Sequence, residues 1–231
     1  MAEFLLIHGS CHGAWCWDDL IPHLQAAGHS ARAIDLPSHG DDTTDPADVT
    51  LDLYASAIVA AIDTPVVLVG HSMAGYPITQ AANLAPEKIS KLIYLCAYAP
   101  MIGQSTAQMR QMADTQPLHD AIIVAADRVT FSIDPTKATE KFYHDVDPAR
   151  AAWAVGQLGP QPILPQETAI TQIPNVPRHY IRCTNDKTIP PAFQTKMTAG
   201  WAAEMVTQLP TSHSPFLSAP AALATALINA L

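Results

Sequence analysis

Ser72 lies in a stretch of sequence in which a serine hydroxyl can act as a nucleophile. It lies in PVVLVGHSMAGYPITQAANL at 65–84, where a short apolar run leads into the turn GHSMAG and then into a helical pattern. The uninterrupted, valine-rich apolar run from Pro65 to Val69 is typical of a buried parallel strand. Small residues at Gly70 and Ala74 permit a sharp strand-to-helix turn that exposes the hydroxyl. The predicted chemistry is attack on an acyl carbonyl.

Two backbone amides are predicted to stabilise the oxyanion that such an attack creates. The amide of Met73 lies at the start of a helix, where partial positive charge favours an anion. The first predicted strand, Phe4 to Ile7, ends in the pair His8-Gly9, which lets the backbone bend close to the serine turn. The amide two residues after His8, that of Ser10, is the second predicted donor.

A nucleophilic serine needs a base, and the base needs an orienting acid. With a serine in such a turn, the chain order is serine, acid, histidine. Of ten histidines, only His213 lies beyond the fifth predicted strand, in LPTSHSPF. Asp186 follows that strand in TNDKTIP, whereas YAPMIGQ, after the strand Lys91–Ala97, has no carboxylate. The sequence therefore predicts a catalytic triad of Ser72, Asp186 and His213.

Taken singly, each motif has an ordinary structural explanation. GHSMAG also fits a glycine-rich connection, and Asn185-Asp186 fits a surface turn. The order of the three positions favours the catalytic interpretation. No metal site is predicted, since no histidine pair is bracketed by carboxylates at metal-ligand spacing, and GHSMAG lacks the Lys-Ser/Thr of a phosphate loop. His71 is expected to satisfy local hydrogen bonds.

Alternating strand and helix patterns predict an α/β protein with a mostly parallel sheet of about six strands flanked by helices. The predicted strands are 4–7, 30–36, 65–69, 91–97, 178–183 and 204–209, and the predicted helices outside the serine turn are 15–27, 51–62, 191–199 and 220–231.

Strand patterns stop between about 100 and 173. Short helical patterns appear there at His119–Ala126 and Ala149–Leu158, separated by GPQPILP at 159–165. An insertion that follows a strand lies at the carboxyl edge of the sheet, over the serine. We expect a single domain, 1–231, with a small helical cap at about 101–172. The alternative is that this insertion only adds helices to the hydrophobic core and does not cover the serine.

Composition excludes several classes of partner. The net charge is −9, only 14% of residues are charged, and there is no Lys/Arg cluster, so neither nucleic acid nor an anionic membrane is an expected partner. The apolar run at the start is four residues long and follows Glu3, which does not fit a signal peptide. Four cysteines without C-x-x-C spacing fit reduced thiols. A cytoplasmic location is expected.

Five stretches resemble the plant methylesterase and hydroxynitrile lyase family and its bacterial esterase relatives, which have the α/β-hydrolase fold. They are HGSCHGAWCW at 8–17, AAGHSARAIDLPSHG at 26–40, GHSMAG at 70–75, CTNDKTIPPAFQ at 183–194 and SH at 212–213. The resemblance covers nearly the whole chain and is weakest across 101–172. It implies the same triad and oxyanion amides, no cofactor, and the homodimer that is common in the family.

That family contains both hydrolases and lyases. The lyases resemble one another in a hydroxyl-bearing residue after the first histidine and a lysine after the catalytic one, where this chain has Gly9 and Ser214. We therefore expect a serine carboxylesterase without a metal, and a cap rich in Ile, Val, Ala and Met favours a small, mostly apolar ester. Carbamates and lactones share the mechanism. The alternatives are a hydroxynitrile lyase and a ligand-binding protein on the same fold that does not turn over.

Overall fold

The computed structural model describes residues 1–231. Its strands are β1 (Glu3–Ile7), β2 (Ser30–Ile34), β3 (Val66–His71), β4 (Ile89–Leu95), β5 (Ile122–Val124), β6 (Thr130–Ile133), β7 (Gln161–Pro162), β8 (Arg178–Cys183) and β9 (Val206–Leu209). Its helices are α1 (Ile21–Ala26), α2 (Leu51–Ala60), α3 (Gly75–Leu84), α4 (Thr106–Gln111), α5 (Pro135–Phe142), α6 (Pro148–Gln157), α7 (Leu164–Glu167), α8 (Pro191–Met197), α9 (Pro215–Ser218) and α10 (Pro220–Asn229).

Six strands form the central sheet in the order β2-β1-β3-β4-β8-β9, and every neighbouring pair is parallel. The prediction of a parallel six-stranded α/β sheet is confirmed. Because all six strands run the same way, the loops that follow them gather at one edge of the sheet. The loops carrying residues 8–13, the serine turn, Asp186 and His213 are therefore neighbours.

Both faces of the sheet are covered. Side chains of a strand point alternately to its two faces, and on β1 Phe4 and Leu6 join one buried cluster while Leu5 and Ile7 join the other. The first cluster includes residues from α1 and α10, and the second includes residues from α2 and α3. All six residues of β3 are buried, as its unbroken apolar pattern predicts.

The predicted helix from Trp15 to Ala27 is wrong in its first half. A 3₁₀ turn covers Ala14–Trp17, and α1 begins only at Ile21. Pro22 is the cause, because a proline inside a helix lacks the amide hydrogen and its ring clashes with the carbonyl four residues earlier. It is tolerated in the first turn of α1, so the helix starts there.

The segment 101–172, called the cap below, contains strands that the sequence analysis did not predict. β5, β6 and β7 form a three-stranded antiparallel sheet. The expected helix at His119–Ala126 is wrong, since only His119–Ala121 is helical, as a 3₁₀ turn, before β5. The β-branched run Ile122-Ile123-Val124 was an available strand signal. The helix predicted at Ala149–Leu158 is confirmed as α6.

None of the helices combines the length and the apolarity that crossing a bilayer requires.

Candidate active site

The serine turn holds Ser72 in a strained conformation between β3 and α3. Its φ is +55°, in the left-handed region that non-glycine residues seldom adopt. A Cβ at Gly70 would lie 2.9 Å from the carbonyl oxygen of Ala74, and a Cβ at Gly75 would lie 2.1 Å from that of Tyr98. The positions that exclude a methyl group are thus 70 and 75, whereas the expected tight position at 74 accommodates its methyl in the buried core.

Asp186 and His213 form a buried pair. The imidazole Nδ1 donates to Asp186 Oδ2 at 2.8 Å, and the residues are 5% and 1% exposed. Oδ1 accepts from the backbone amides of Thr188 and Ile189 at 2.6 and 2.9 Å, and Oδ2 accepts also from Gln194 Nε2 at 2.9 Å. Four donors thus surround a carboxylate that acts only as an acceptor. It holds the His213 tautomer with the proton on Nδ1 and the lone pair on Nε2.

One cavity brings Ser72 and His213 together with Ser10 and Met73. The structure therefore places four of the five predicted site residues around a common space, and Asp186 lies behind His213. No hydrogen bond joins Ser72 Oγ to the imidazole. The hydroxyl turns about a single bond, and such hydrogen bonds often tighten only when substrate is bound.

The loop that carries Ser10 is tied to the cap. Ser10 Oγ accepts from Gln166 Nε2 at 2.9 Å, and the amide of Cys11 donates to Gln161 Oε1 at 3.3 Å. The amide of Gly159 donates to the carbonyl of Cys11 at 2.9 Å, whereas the amide of Ser10 donates to no protein acceptor. A rigid backbone amide without a partner beside the serine is what an oxyanion hole requires.

The cavity walls are partly apolar and partly polar. Leu118, Ile133 and Phe142 come from the cap, and Thr188 and Tyr98 come from loops of the sheet edge. The volume is about 10 Å³, on the scale of the ~10–15 Å³ that one water molecule needs. An ester therefore enters only if some of these side chains move.

Comparisons with known proteins show the family of the chain. Residues 4–226 match the alpha/beta hydrolase family. The chain belongs to this family. It is 28% identical to Methylesterase 7 of Arabidopsis thaliana, over 98% of this chain and 95% of that protein, and 30% identical to Pheophorbidase of Raphanus sativus, over 100% and 94%. The crystal structure of the pyrethroid hydrolase PytH superimposes with a TM-score of 0.87 at 27% identity, over 98% of this chain and 96% of that one. The resemblance inferred from the motifs is confirmed.

In this α/β-hydrolase, two histidines of the loop after β1, His8 and His12, are held neutral by burial. His12 Nδ1 donates to the carbonyl of Ser10 at 2.8 Å, and its Nε2 accepts from the Tyr143 hydroxyl at 2.7 Å. Burial lowers the pKa of His12 to about 4. Burial likewise brings the pKa of His8 well below its ordinary value, and His8 Nδ1 donates to the carbonyl of the next residue at 2.9 Å. Both imidazoles therefore shape the loop as uncharged groups.

His71 and Cys96 hold the backbone of His213. His71 Nε2 donates to the carbonyl of His213 at 2.8 Å, and the Cys96 thiol donates to the same oxygen at 3.4 Å. The expectation that His71 makes local bonds is wrong, since its partner lies 142 residues away in the chain. Sequence spacing could not reveal this contact, because it exists only where β3, β4 and the loop after β9 meet.

The side chains of His71, Cys96 and His213 place candidate metal-ligand atoms within 4.8 Å of one another. The sequence analysis did not predict this grouping. The donor chemistry fits a metal poorly. Burial raises the pKa of Cys96 well above its usual range, so the thiol keeps its proton, whereas a metal binds the thiolate. His71 Nε2 and the thiol proton are already used on the His213 carbonyl.

Proposed function

We propose that this α/β-hydrolase is a serine carboxylesterase. The observation that carries the proposal is the buried His213–Asp186 hydrogen bond of 2.8 Å beside a serine that shares its cavity with both predicted oxyanion residues. The relatives named as a methylesterase and a pyrethroid hydrolase support ester hydrolysis.

The proposed reaction proceeds through an acyl-enzyme. His213 Nε2 takes the proton of Ser72 Oγ as the oxygen attacks the ester carbonyl, and Asp186 stabilises the imidazolium that results. The amides of Ser10 and Met73 hold the tetrahedral oxyanion. Collapse of this intermediate expels the alcohol, which receives the proton from His213. Water, deprotonated by His213, then attacks the acyl group, and the acid leaves with Ser72 restored.

The apolar part of the cavity wall supports a small substrate that is mostly apolar beside its scissile bond. Side chains of Leu118, Ile133 and Phe142 would contact the part of the ester beside the scissile bond. Carbamates and lactones present the same electrophilic carbonyl, so they are also candidate substrates. Because the cavity volume is only about 10 Å³, we infer that substrate binding displaces cap side chains.

Gly9 favours hydrolysis over the lyase alternative. A Cβ at Gly9 would lie 2.7 Å from His71 Nδ1 and 2.8 Å from Ser72 Cβ, distances that real Cβ atoms do not tolerate. A hydroxyl-bearing side chain, as the lyases of the family have there, does not fit without rearrangement of the serine turn. Ser214 also provides no cation for a cyanide leaving group.

The test is loss of turnover in a serine variant. Ser72→Ala should abolish hydrolysis of p-nitrophenyl butyrate and labelling by a fluorophosphonate. Ser38→Ala is the matched control, because Ser38 also has a left-handed φ, +67°, but lines a different cavity. Undiminished hydrolysis by the Ser72 variant would remove the nucleophile assignment. A wild-type protein that is neither labelled nor active on any ester would favour the ligand-binding alternative.

A further inference from the structure

Arg110 brings a cation into the catalytic cavity. It belongs to α4, the first helix of the cap, and it lines the same cavity as Ser72 and His213. Its Nη2 donates to Gln166 Oε1 at 2.7 Å, whereas its Nε is buried without a hydrogen-bond partner. It takes part in no salt bridge.

No protein anion balances this charge inside the cavity. The residues that line the cavity include no aspartate and no glutamate. His12 and His71, which also line the cavity, do not compete with Arg110 for an anion, because burial lowers the pKa of both imidazoles. Arg110 is half-buried, and a partly desolvated guanidinium without a carboxylate is disfavoured, since no ion pair offsets its desolvation. The arrangement becomes favourable once a ligand supplies the anion.

Arg110 also stands between the catalytic cavity and the outside of the cap. It is the only residue that lines both this cavity and a neighbouring groove of about 150 Å³. Phe131 and Ile163 form part of that groove, and its charged side chains besides Arg110 are Arg128 and Glu167. A ligand that reaches Ser72 and is too large for the inner cavity would pass the guanidinium.

We propose that Arg110 determines substrate specificity by binding an anionic group, so that the preferred ester carries a carboxylate besides its scissile bond. This inference depends on the proposed esterase function. A guanidinium pairs with a carboxylate through two parallel N–H···O bonds, and the unpartnered Nε together with a terminal nitrogen offers that fork. Monoesters of dicarboxylic acids and aryl esters with a carboxyl substituent on the ring belong to this class.

A purely structural role is the competing explanation. Gln166 accepts from Arg110 through Oε1, and its Nε2 donates to Ser10 Oγ at 2.9 Å. Loss of Arg110 could therefore loosen the loop that carries the oxyanion amide. Such damage lowers kcat for every ester alike, whereas loss of an anion-binding group acts only on charged substrates and mainly through KM.

Matched ester pairs separate the two roles. We would compare kcat/KM for monomethyl adipate with that for methyl hexanoate, and for 4-acetoxybenzoate with that for 4-methylphenyl acetate. Each pair has the same reacting bond and differs in one carboxylate, on the acyl side in the first pair and on the alcohol side in the second. The enzymes are wild type, Arg110→Gln, Gln166→Leu and Arg178→Gln. Arg178 lies at the amino end of β8, against the Trp201 ring.

Wild type should prefer the charged member of at least one pair by tenfold or more, and Arg110→Gln should reduce that ratio to near one with a raised KM. Gln166→Leu should slow both members alike, and Arg178→Gln should leave the ratio unchanged. The proposal is overturned if wild type prefers the neutral member of both pairs, or if Arg110→Gln lowers both members equally. Turnover of the neutral esters that depends on Ser72 would keep the esterase proposal in place even then.

Discussion

Replacing Asp186 by asparagine should remove most of the catalytic rate without unfolding the protein. Two rigid donors, the amides of Thr188 and Ile189, lie 2.6 and 2.9 Å from Oδ1, so the carbonyl oxygen of the new side chain must remain on that side. Its NH₂ group then takes the place of Oδ2 and faces His213 Nδ1. Because two N–H groups cannot point at each other, the imidazole should move its proton to Nε2.

That tautomer cannot act as a base toward Ser72. In serine-protease triads the same change costs ~10⁴-fold in kcat, which corresponds to about 5 kcal/mol of activation free energy. The effect on folding should be smaller. Gln194 Nε2 loses its acceptor at Oδ2 but keeps the carbonyls of Ile189 and Cys183, at 2.9 and 3.4 Å. The asparagine N–H that faces Gln194 is left without an acceptor, and an unsatisfied buried donor costs ~1–3 kcal/mol.

The measurement is kcat and KM for p-nitrophenyl butyrate in wild type, Asp186→Asn and Asp63→Asn, with thermal unfolding of each. Asp63 is exposed and serves as the matched carboxyl-to-amide control, with a rate close to wild type. A loss of less than tenfold in a folded Asp186→Asn protein would refute the assignment of Asp186 as the group that orients His213.

Two further predictions concern the pH dependence of stability and the exclusion of a side chain at Gly9. Burial lowers the pKa of His12 to about 4 in the folded protein, whereas an unfolded histidine has a pKa of ~6.5. At mildly acidic pH the unfolded state therefore binds more protons than the folded state. The free energy of unfolding should fall as pH drops from ~6.5 to ~4. At pH 5.5 this one group should cost about 1 kcal/mol, and equal urea midpoints at pH 7.5 and 5.5 would contradict it. Gly9→Ala should destabilise by ~1–3 kcal/mol and lower kcat, since its Cβ meets His71 Nδ1 at 2.7 Å and Ser72 Cβ at 2.8 Å. Gly156→Ala is the control, because a Cβ added at Gly156 would have no other atom within 4 Å. Its urea midpoint and its turnover should both stay close to those of wild type.

Local patterns were sufficient for the central sheet. The unbroken apolar run at 66–69 and the glycines around Ser72 constrain the backbone through burial and steric exclusion, which depend on neighbouring residues in the chain. The parallel direction of the strands then brings their following loops to one edge, so candidate site residues could be chosen by their place after a strand. The structure of the cap was harder to predict from the sequence, because β5, β6 and β7 are only two to four residues long. Strands this short show little alternation of apolar and polar residues.

By itself, then, the sequence determined the fold family and the edge of the sheet on which Ser10, Ser72, Asp186 and His213 lie. Only the tertiary structure decided what surrounds them. His71 donates a hydrogen bond to the His213 carbonyl across 142 residues, and Arg110 of the cap lines the same cavity as Ser72, where no aspartate or glutamate accompanies it. Contacts of this kind join segments far apart in the chain, and their strength depends on distance and burial. Neither quantity is encoded in the spacing of residue types.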